Sequence, residues 1–265
     1  MKVLVAGKGG TGKTTIAATV AYILSESGYK VLVLDTDSIP NTAVTLGVPI
    51  EEAVKIIPLT MNEKLVEERT GAKPGEGWGL FFALNPKVDD IAVKYGIRFS
   101  ENLGLVVVGS IDASKQGCLC PAIALARQFL RHMLTAKEEI VLVDSEAGAE
   151  VFGRGLAEYF DLMFCISEPT LKSLDISIKL VRMAEELSIK QNVILVNKVR
   201  DEDLAKRLCN KILGEKYRWH LIHYDENVER ADYEGKPLRD ISRESTIFKD
   251  LKTVIRSETP WLRVR

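Results

Sequence analysis

Short apolar runs alternate with amphipathic stretches along the chain. Apolar runs bounded by turn residues predict buried strands, and apolar residues spaced three or four positions apart predict helices. The predicted strands cover residues 2–6, 30–34, 103–108, 140–143, 162–166, 192–196 and 218–223. The predicted helices begin near Thr14 and cover about 51–69, 88–95, 122–133, 171–187 and 202–213, with two more near Asn227 and Phe248. This alternation predicts an α/β fold with a doubly wound, mostly parallel sheet flanked by helices.

The length of the chain fits one large core. It has 265 residues, of which 46% are hydrophobic, so we expect a single domain over residues 1–265. The weakest periodicity lies at about 48–103, which we interpret as an insertion on that domain, with one short apolar run at 80–84 as a further strand. The last helix has a short apolar face and mixed charges, so we expect it to pack on the core.

Composition argues against several classes of function. The 36 basic and 37 acidic residues nearly cancel, and no basic block marks a nucleic-acid surface. The first apolar run is too short for a signal peptide, and no run approaches the roughly 18 apolar residues of a membrane span. With four cysteines in a chain of this length, reduced thiols are expected. We therefore predict a cytoplasmic protein that binds neither membrane nor nucleic acid.

A phosphate-binding motif lies between the first strand and the first helix. The pattern is Gly7-x-x-x-x-Gly12-Lys13-Thr14, a P-loop in the strand–loop–helix context that such a loop requires. Glycines allow successive backbone N–H groups to converge on phosphate oxygens, and the helix N-terminus adds its dipole. Lys13 supplies a charge and Thr14 a hydroxyl for Mg²⁺. The residues predicted to bind nucleotide here are Gly9, Gly10, Thr11, Gly12, Lys13, Thr14 and Thr15.

A second lysine in the loop suggests more than binding. Lys8 directly follows Gly7, and two ammonium groups at one triphosphate repel unless developing phosphate charge lies between them. Lys8 is therefore a candidate charge-stabilising catalytic residue together with Lys13, either in its own site or across a dimer. The alternative is a solvated surface lysine.

Polar residues follow three other predicted strands. Asp37, in Asp35-Thr36-Asp37, is a candidate to orient and deprotonate an attacking water; otherwise it is a helix cap or turn residue. Asp144 begins Asp144-Ser-Glu-Ala-Gly148, which fits the second acid of a Mg²⁺ region, with Gly148 placed to sense the γ-phosphate. The alternative is an isolated surface aspartate. Asn197 is a candidate for the adenine edge, or simply a turn residue.

A pair of cysteines is the other feature with chemical content. Cys118-x-Cys120 supplies two thiolates, whereas tetrahedral Zn²⁺ or a similar soft-binding metal prefers four ligands. Two chains related by a twofold axis would supply four. We therefore predict a shared Ni²⁺ or Zn²⁺ site at a dimer interface, the alternative being incidental cysteines. Cys165 and Cys209 lie in a predicted strand and helix and are expected to be core or incidental residues.

The loop resembles that of a known ATPase family. The segment from Lys8 to Thr15 is similar to the deviant P-loop of the MinD, ParA and nitrogenase iron protein ATPases. In that family the additional lysine reaches the nucleotide of the partner subunit. The resemblance therefore implies ATP and Mg²⁺ as ligands, ADP as product, and a homodimer whose formation is coupled to hydrolysis.

Further motifs resemble a narrower group, the CooC-type ATPases that insert nickel into carbon monoxide dehydrogenase. The matching segments are Asp35-Thr-Asp37, Gly117-Cys-Leu-Cys-Pro121, Asp144-Ser-Glu-Ala-Gly148, Asn197-Lys-Val-Arg200, Glu67-Glu-Arg-Thr-Gly-Ala-Lys-Pro74 and Leu84-Asn-Pro-Lys-Val-Asp-Asp90. The resemblance implies a metallochaperone whose client is carbon monoxide dehydrogenase. It does not choose between nickel and zinc.

The main alternative is a MinD- or ParA-like partitioning or positioning ATPase whose ATP-bound dimer binds membrane or DNA. The charge balance and the short terminal helix argue against it. Preference for ATP over GTP comes from the resemblance, and the guanine-specific pattern Asn-Lys-x-Asp is absent because Arg200 occupies its last position.

Overall fold

Eight strands form one sheet within the residues that the structure describes. The structure is a computed structural model, and it describes residues 1–73, 83–110, 120–136, 139–146 and 156–264. The strand order is β3-β4-β2-β5-β1-β6-β7-β8. Every neighbouring pair is parallel except β3–β4, so the predicted doubly wound, mostly parallel sheet is confirmed.

The strands follow the predicted apolar runs closely. In chain order they are β1 Lys2–Gly7, β2 Val31–Asp35, β3 Ile97–Arg98, β4 Leu103–Val107, β5 Ile140–Asp144, β6 Leu162–Ser167, β7 Gln191–Val199 and β8 Arg218–His223. Strand β3 was not predicted, because a strand of two residues has no periodic pattern to recognise. The strand predicted at 80–84 falls largely outside the described residues.

Helices cover both faces of the sheet. They are α1 Lys13–Glu26, α2 Thr42–Thr45, α3 Ile50–Ala53, α4 Glu63–Thr70, α5 Ile91–Tyr95, α6 Cys120–Thr135, α7 Leu171–Glu186, α8 Glu202–Ile212, α9 Glu226–Tyr233 and α10 Thr246–Glu258. None of the helices in the described ranges has the length and apolar character needed to cross a membrane.

The single charged helix expected over 51–69 is wrong. Helix α3 ends at Ala53, a 3₁₀ turn covers Leu59–Met61, and α4 begins at Glu63. Pro58 explains the break, because a proline disfavours helical backbone at the residue before it. The side chain of Asn62 then caps the new helix by accepting the Leu65 N–H at 3.1 Å.

Alternate residues of the central strand β1 enter two separate cores. Val3 and Val5 lie in the core beneath α1 and α10, whereas Leu4 and Ala6 lie in the core beneath α6 and α7, as the two-residue period of a strand requires. Helix α10 packs on the core as predicted. Its apolar residues Phe248, Leu251, Val254 and Ile255 are all buried.

We expect Phe248→Ala to lower the free energy of unfolding by about 3–5 kcal/mol, because it leaves a cavity where a fully buried ring was. The midpoint of urea unfolding measures the change. Tyr233→Ala is the matched control: its ring also belongs to a helix but is 84% exposed, so its cost should stay within about 0.5 kcal/mol. Equal losses in the two variants would contradict the assignment of α10 to the core.

Candidate nucleotide site

The loop between β1 and α1 has the backbone that a phosphate cradle needs. Gly7 has φ +147°, and a Cβ there would lie 2.3 Å from the Ile166 carbonyl oxygen. Gly12 has φ +95° and precedes α1, whose first turn has no acidic residue and whose N-terminus has no side-chain cap. The first N–H groups of α1 therefore have no competing side-chain acceptor, which favours an anion at this helix end.

Two side chains from the end of β7 hold the carbonyl groups of this loop. The amide nitrogen of Asn197, which is buried, donates to the Thr11 carbonyl at 2.8 Å. The ammonium of Lys198 donates to the Gly10 carbonyl at 2.6 Å. A Cβ on Gly12 would lie only 2.5 Å from the Asn197 amide nitrogen. Contact of Asn197 with the adenine edge stays a prediction, whereas its contact with the loop backbone was not predicted from the sequence.

The two lysines of the loop differ in exposure. Lys13 is 8% exposed, and its ammonium lies 3.4 Å from the Lys8 carbonyl oxygen. That same carbonyl also accepts the Thr11 hydroxyl at 2.9 Å. Lys8 itself is exposed, as are Gly9 and Gly10, so its ammonium is accessible to a ligand or a second chain. The catalytic roles of Lys8 and Lys13 stay predictions.

Two buried carboxylates lie side by side at the ends of neighbouring strands. Asp35 ends β2 and Asp144 ends β5, and the strand register places them opposite one another. Both are almost completely buried. Burial is the main cause that raises the pKa of Asp144 to about 7, and the charge of Asp35 adds to it. Burial also raises the pKa of Asp35, against the opposing effect of hydrogen bonds from Asp37 and Thr42.

One oxygen of Asp144 fits a cation. Its Oδ2 accepts the Thr42 hydroxyl at 3.0 Å, and the nearby Thr14 side chain opposes the rise in the pKa of this carboxyl group. Its Oδ1 is buried and has no hydrogen-bond partner among the described residues. An orphaned carboxylate oxygen beside a P-loop hydroxyl suits Mg²⁺, which prefers oxygen ligands. Thr14 and Asp144 would hold the ion, which would neutralise negative charge on the phosphates of the nucleotide.

Asp37 lies in the loop after β2 and is half-buried. Its Oδ1 accepts the Ile39 N–H at 3.0 Å, which closes a local turn, and its own N–H donates to Asp35 at 3.0 Å. The structure therefore shows the turn role that the sequence left open. Action of Asp37 on an attacking water stays a prediction.

Glu146 joins three strand ends and was not a candidate from the sequence. One carboxylate oxygen accepts the Ser38 hydroxyl at 2.9 Å, and the other accepts the Ser110 hydroxyl at 3.4 Å. Glu146 itself follows β5, Ser38 follows β2, and Ser110 follows β4. The contact thus links the Asp37 loop to the start of the chain segment that leads to the cysteine pair.

The cysteine pair is only partly visible. Cys118 lies outside the described residues, as does Gly148, whereas Cys120 is exposed at the first position of α6. Cys165 and Cys209 are buried, as expected for core residues. In the described ranges no group of three or more His, Cys, Asp or Glu side chains has an arrangement that holds a metal ion. The site predicted from two chains needs Cys118 and a second copy, so it stays a prediction.

Comparison with known proteins identifies the family. Residues 2–238 match the family model for the CobQ/CobB/MinD/ParA nucleotide-binding domain. The chain belongs to this family. It is 40% identical over 257 residues to an uncharacterised ATP-binding protein of Methanocaldococcus jannaschii, covering 96% of each chain. It is also 36% identical over 247 residues to the carbon monoxide dehydrogenase accessory protein CooC of Rhodospirillum rubrum, covering 91% of this chain and 90% of CooC.

Solved structures of MinD and ParA proteins share the fold. The septum site-determining protein MinD of Pyrococcus horikoshii, solved with Mg-ADP, has a TM-score of 0.65 at 17% identity and covers 99% of both chains. A ParA family ATPase of Chlorobium tepidum has a TM-score of 0.65 at 18% identity, covering 94% of this chain and 95% of its own. The predicted family and fold are thus confirmed, and the protein is an ATPase for which ATP and Mg²⁺ are the expected ligands.

We expect Gly12→Ala to abolish measurable ATP binding, because the new methyl group meets the Asn197 amide and the left-handed backbone is strained. Gly28→Ala is the matched control. Its φ of +92° imposes similar strain, but nothing lies within 4 Å of the added carbon. Titration calorimetry with ATP should find unchanged affinity in the control. Wild-type affinity in Gly12→Ala would show that this packing does not shape the site.

Proposed function

We propose that this ATPase is a metallochaperone that serves the maturation of a metalloenzyme, as a CooC-like factor. ATP closes a homodimer, and the two Cys118-x-Cys120 segments then share one Ni²⁺ or Zn²⁺ ion as cargo. The observation that carries the proposal is the similarity to CooC over 91% of the chain, in a chain that also holds the cysteine pair. Carbon monoxide dehydrogenase is the client that this similarity suggests.

The proposed hydrolysis cycle uses the loop and the strand ends. Asp37 orients water and accepts its proton while the water oxygen attacks the γ-phosphorus. The bond from that phosphorus to the β–γ bridging oxygen breaks, giving ADP and phosphate. Lys13 in its own site and Lys8 in the partner's site stabilise the charge that develops on the phosphoryl oxygens. The exposure of Lys8 supports action across the dimer, since an exposed ammonium remains available to a second chain.

The Glu146 contacts support coupling between the two ends of this cycle. The carboxylate accepts hydrogen bonds from Ser38 and Ser110. Ser38 directly follows Asp37, the proposed base, and Ser110 precedes the two cysteines by ten residues or fewer. A movement of the Asp37 loop on nucleotide binding would therefore shift Glu146 and, through it, Ser110 at the start of the segment that leads to the cysteines. Hydrolysis would reverse that change, open the dimer and release the ion to the client.

A second candidate function is a MinD- or ParA-like positioning ATPase, favoured by the fold shared with those proteins at TM-scores of about 0.65. Its ATP-bound dimer would bind membrane or DNA and no metal. Sedimentation with anionic liposomes or with non-specific DNA, with and without ATP, separates the two functions. ATP-dependent pelleting without stoichiometric metal would favour the second.

We expect Cys118→Ser/Cys120→Ser to lose the nucleotide-dependent metal site, because a hydroxyl is a far weaker ligand for soft-binding ions than a thiolate. Equilibrium dialysis with Ni²⁺ or Zn²⁺ and a non-hydrolysable ATP analogue should give about one ion per two wild-type chains and none for the variant. Cys209→Ala is the control, since its thiol is buried in α8. Retention of tight binding in the double variant would refute the cysteine site.

We expect Glu146→Ala to uncouple the nucleotide from the metal. Metal affinity without nucleotide should stay unchanged, whereas the increase in affinity that ATP produces should fall about tenfold, a loss comparable with that of one hydrogen bond to a charged group. The same dialysis, run with and without the analogue, measures both. Glu101→Ala, an exposed acid away from these contacts, is the control. A full ATP effect in Glu146→Ala would contradict the coupling.

A further inference from the structure

We propose that Lys198 and Glu168 form a latch on the P-loop that positions its backbone for the phosphates of the nucleotide. Here "the latch" means this ion pair together with its contact to the Gly10 carbonyl. The ammonium of Lys198 lies 2.6 Å from that carbonyl oxygen and 2.9 Å from a carboxylate oxygen of Glu168. The inference concerns the ATPase reaction and is independent of the proposed metal site.

The backbone of β7 is distorted where the latch begins. Lys198 has φ +61°, one of two non-glycine residues with positive φ in the described part of the chain. The register of β7 against β8 also shifts between Val196 and Val199, as at a β-bulge. In a regular strand consecutive side chains point to opposite faces. Here Asn197 and Lys198 both reach the same loop. Because of the distortion, two successive side chains of β7 donate to two successive carbonyl groups of the P-loop, those of Thr11 and Gly10.

Holding those two carbonyls orients the opposite edge of the same peptide groups. In a trans peptide the C=O and the following N–H point in opposite directions. With the Gly10 and Thr11 carbonyls held toward β7, the N–H groups of Thr11 and Gly12 point away from it. These are central amides of the P-loop pattern, whose N–H groups bind phosphate oxygens. The latch thus fixes binding groups before the ligand arrives, which lowers the ordering cost of binding.

Glu168 fixes the position of the Lys198 ammonium and balances its positive charge. Glu168 follows β6. Its backbone N–H donates to the Ser173 hydroxyl at 2.9 Å, near the start of α7. The side chains of the ion pair are 45% and 36% exposed, so their attraction alone adds little to stability. The loop already carries Lys8 and Lys13, and an unpaired third ammonium would be free to leave the carbonyl for solvent or phosphate. Glu168 therefore acts through Lys198 as a positioning residue.

We expect Lys198→Met to weaken ATP and ADP binding about tenfold each, because the oriented amides belong to the part of the loop that both nucleotides use. The KM for ATP should rise by a similar factor, while kcat changes less than about threefold. Lys198→Arg should recover most of the affinity, since a guanidinium can also donate to a carbonyl. Lys198→Gly should bind as weakly as the Met variant. Glycine adopts the positive φ without strain. The Gly variant therefore distinguishes the effect of losing the ammonium group from the effect of backbone strain at this position.

Non-additivity tests the role of Glu168. Glu168→Gln alone should weaken ADP binding about threefold and have no further effect in the Lys198→Met background. Lys179→Met is the control, since it breaks an exposed ion pair with Asp175 that does not touch the loop. Calorimetry and steady-state kinetics are run well below the unfolding midpoint of every variant. The proposal is overturned if the Met and Gly variants keep wild-type nucleotide affinity, or if Glu168→Gln weakens binding equally in both backgrounds.

Discussion

The parallel pairing of β1 with β5 on one side and β6 on the other is the constraint on which the site depends. Carboxyl ends of parallel strands meet at one edge of a sheet. The P-loop after β1 therefore lies beside Asp144 at the end of β5 and near the distorted end of β7. In an antiparallel sheet the carboxyl ends of neighbouring strands alternate between opposite edges, so these groups would lie apart. The apolar residues of β1, buried on both faces, supply the free energy that holds the pairing together.

Part of that free energy is offset at the site itself. Two carboxylates lie buried side by side, and Lys198, which contacts the loop, has a positive φ that is strained for a residue other than glycine. Such features destabilise the folded chain without ligand. They make sense if a divalent cation and a triphosphate complete the site, since the cation compensates the carboxylates and the phosphates engage the oriented amides. The surrounding rigid core allows the site to keep this arrangement before binding.

Two sets of contacts connect the loops around the nucleotide site. Glu146 accepts hydrogen bonds from Ser38 and Ser110, which follow β2 and β4. Lys198, paired with Glu168, donates to the P-loop. Family membership accounts for the ATPase. Our proposal of metal delivery rests on the similarity to CooC and on the cysteine pair, and the Glu146 contacts are the connection that we propose between the nucleotide and the metal.

Much of this protein follows from local sequence. The seven longer strands, the P-loop and the acids at strand ends were recognisable because each depends on the spacing of neighbouring residues. The break in the helix expected over 51–69 was not recognised, because the charged pattern is continuous there although Pro58 and the Asn62 cap divide the segment. Only the tertiary structure showed that Asp144 has an unpartnered oxygen, that Glu146 joins two serines, and that Lys198 holds Gly10. Those contacts join residues 36 to 188 positions apart, and the pairing of strands, which no local pattern encodes, decides which of them meet.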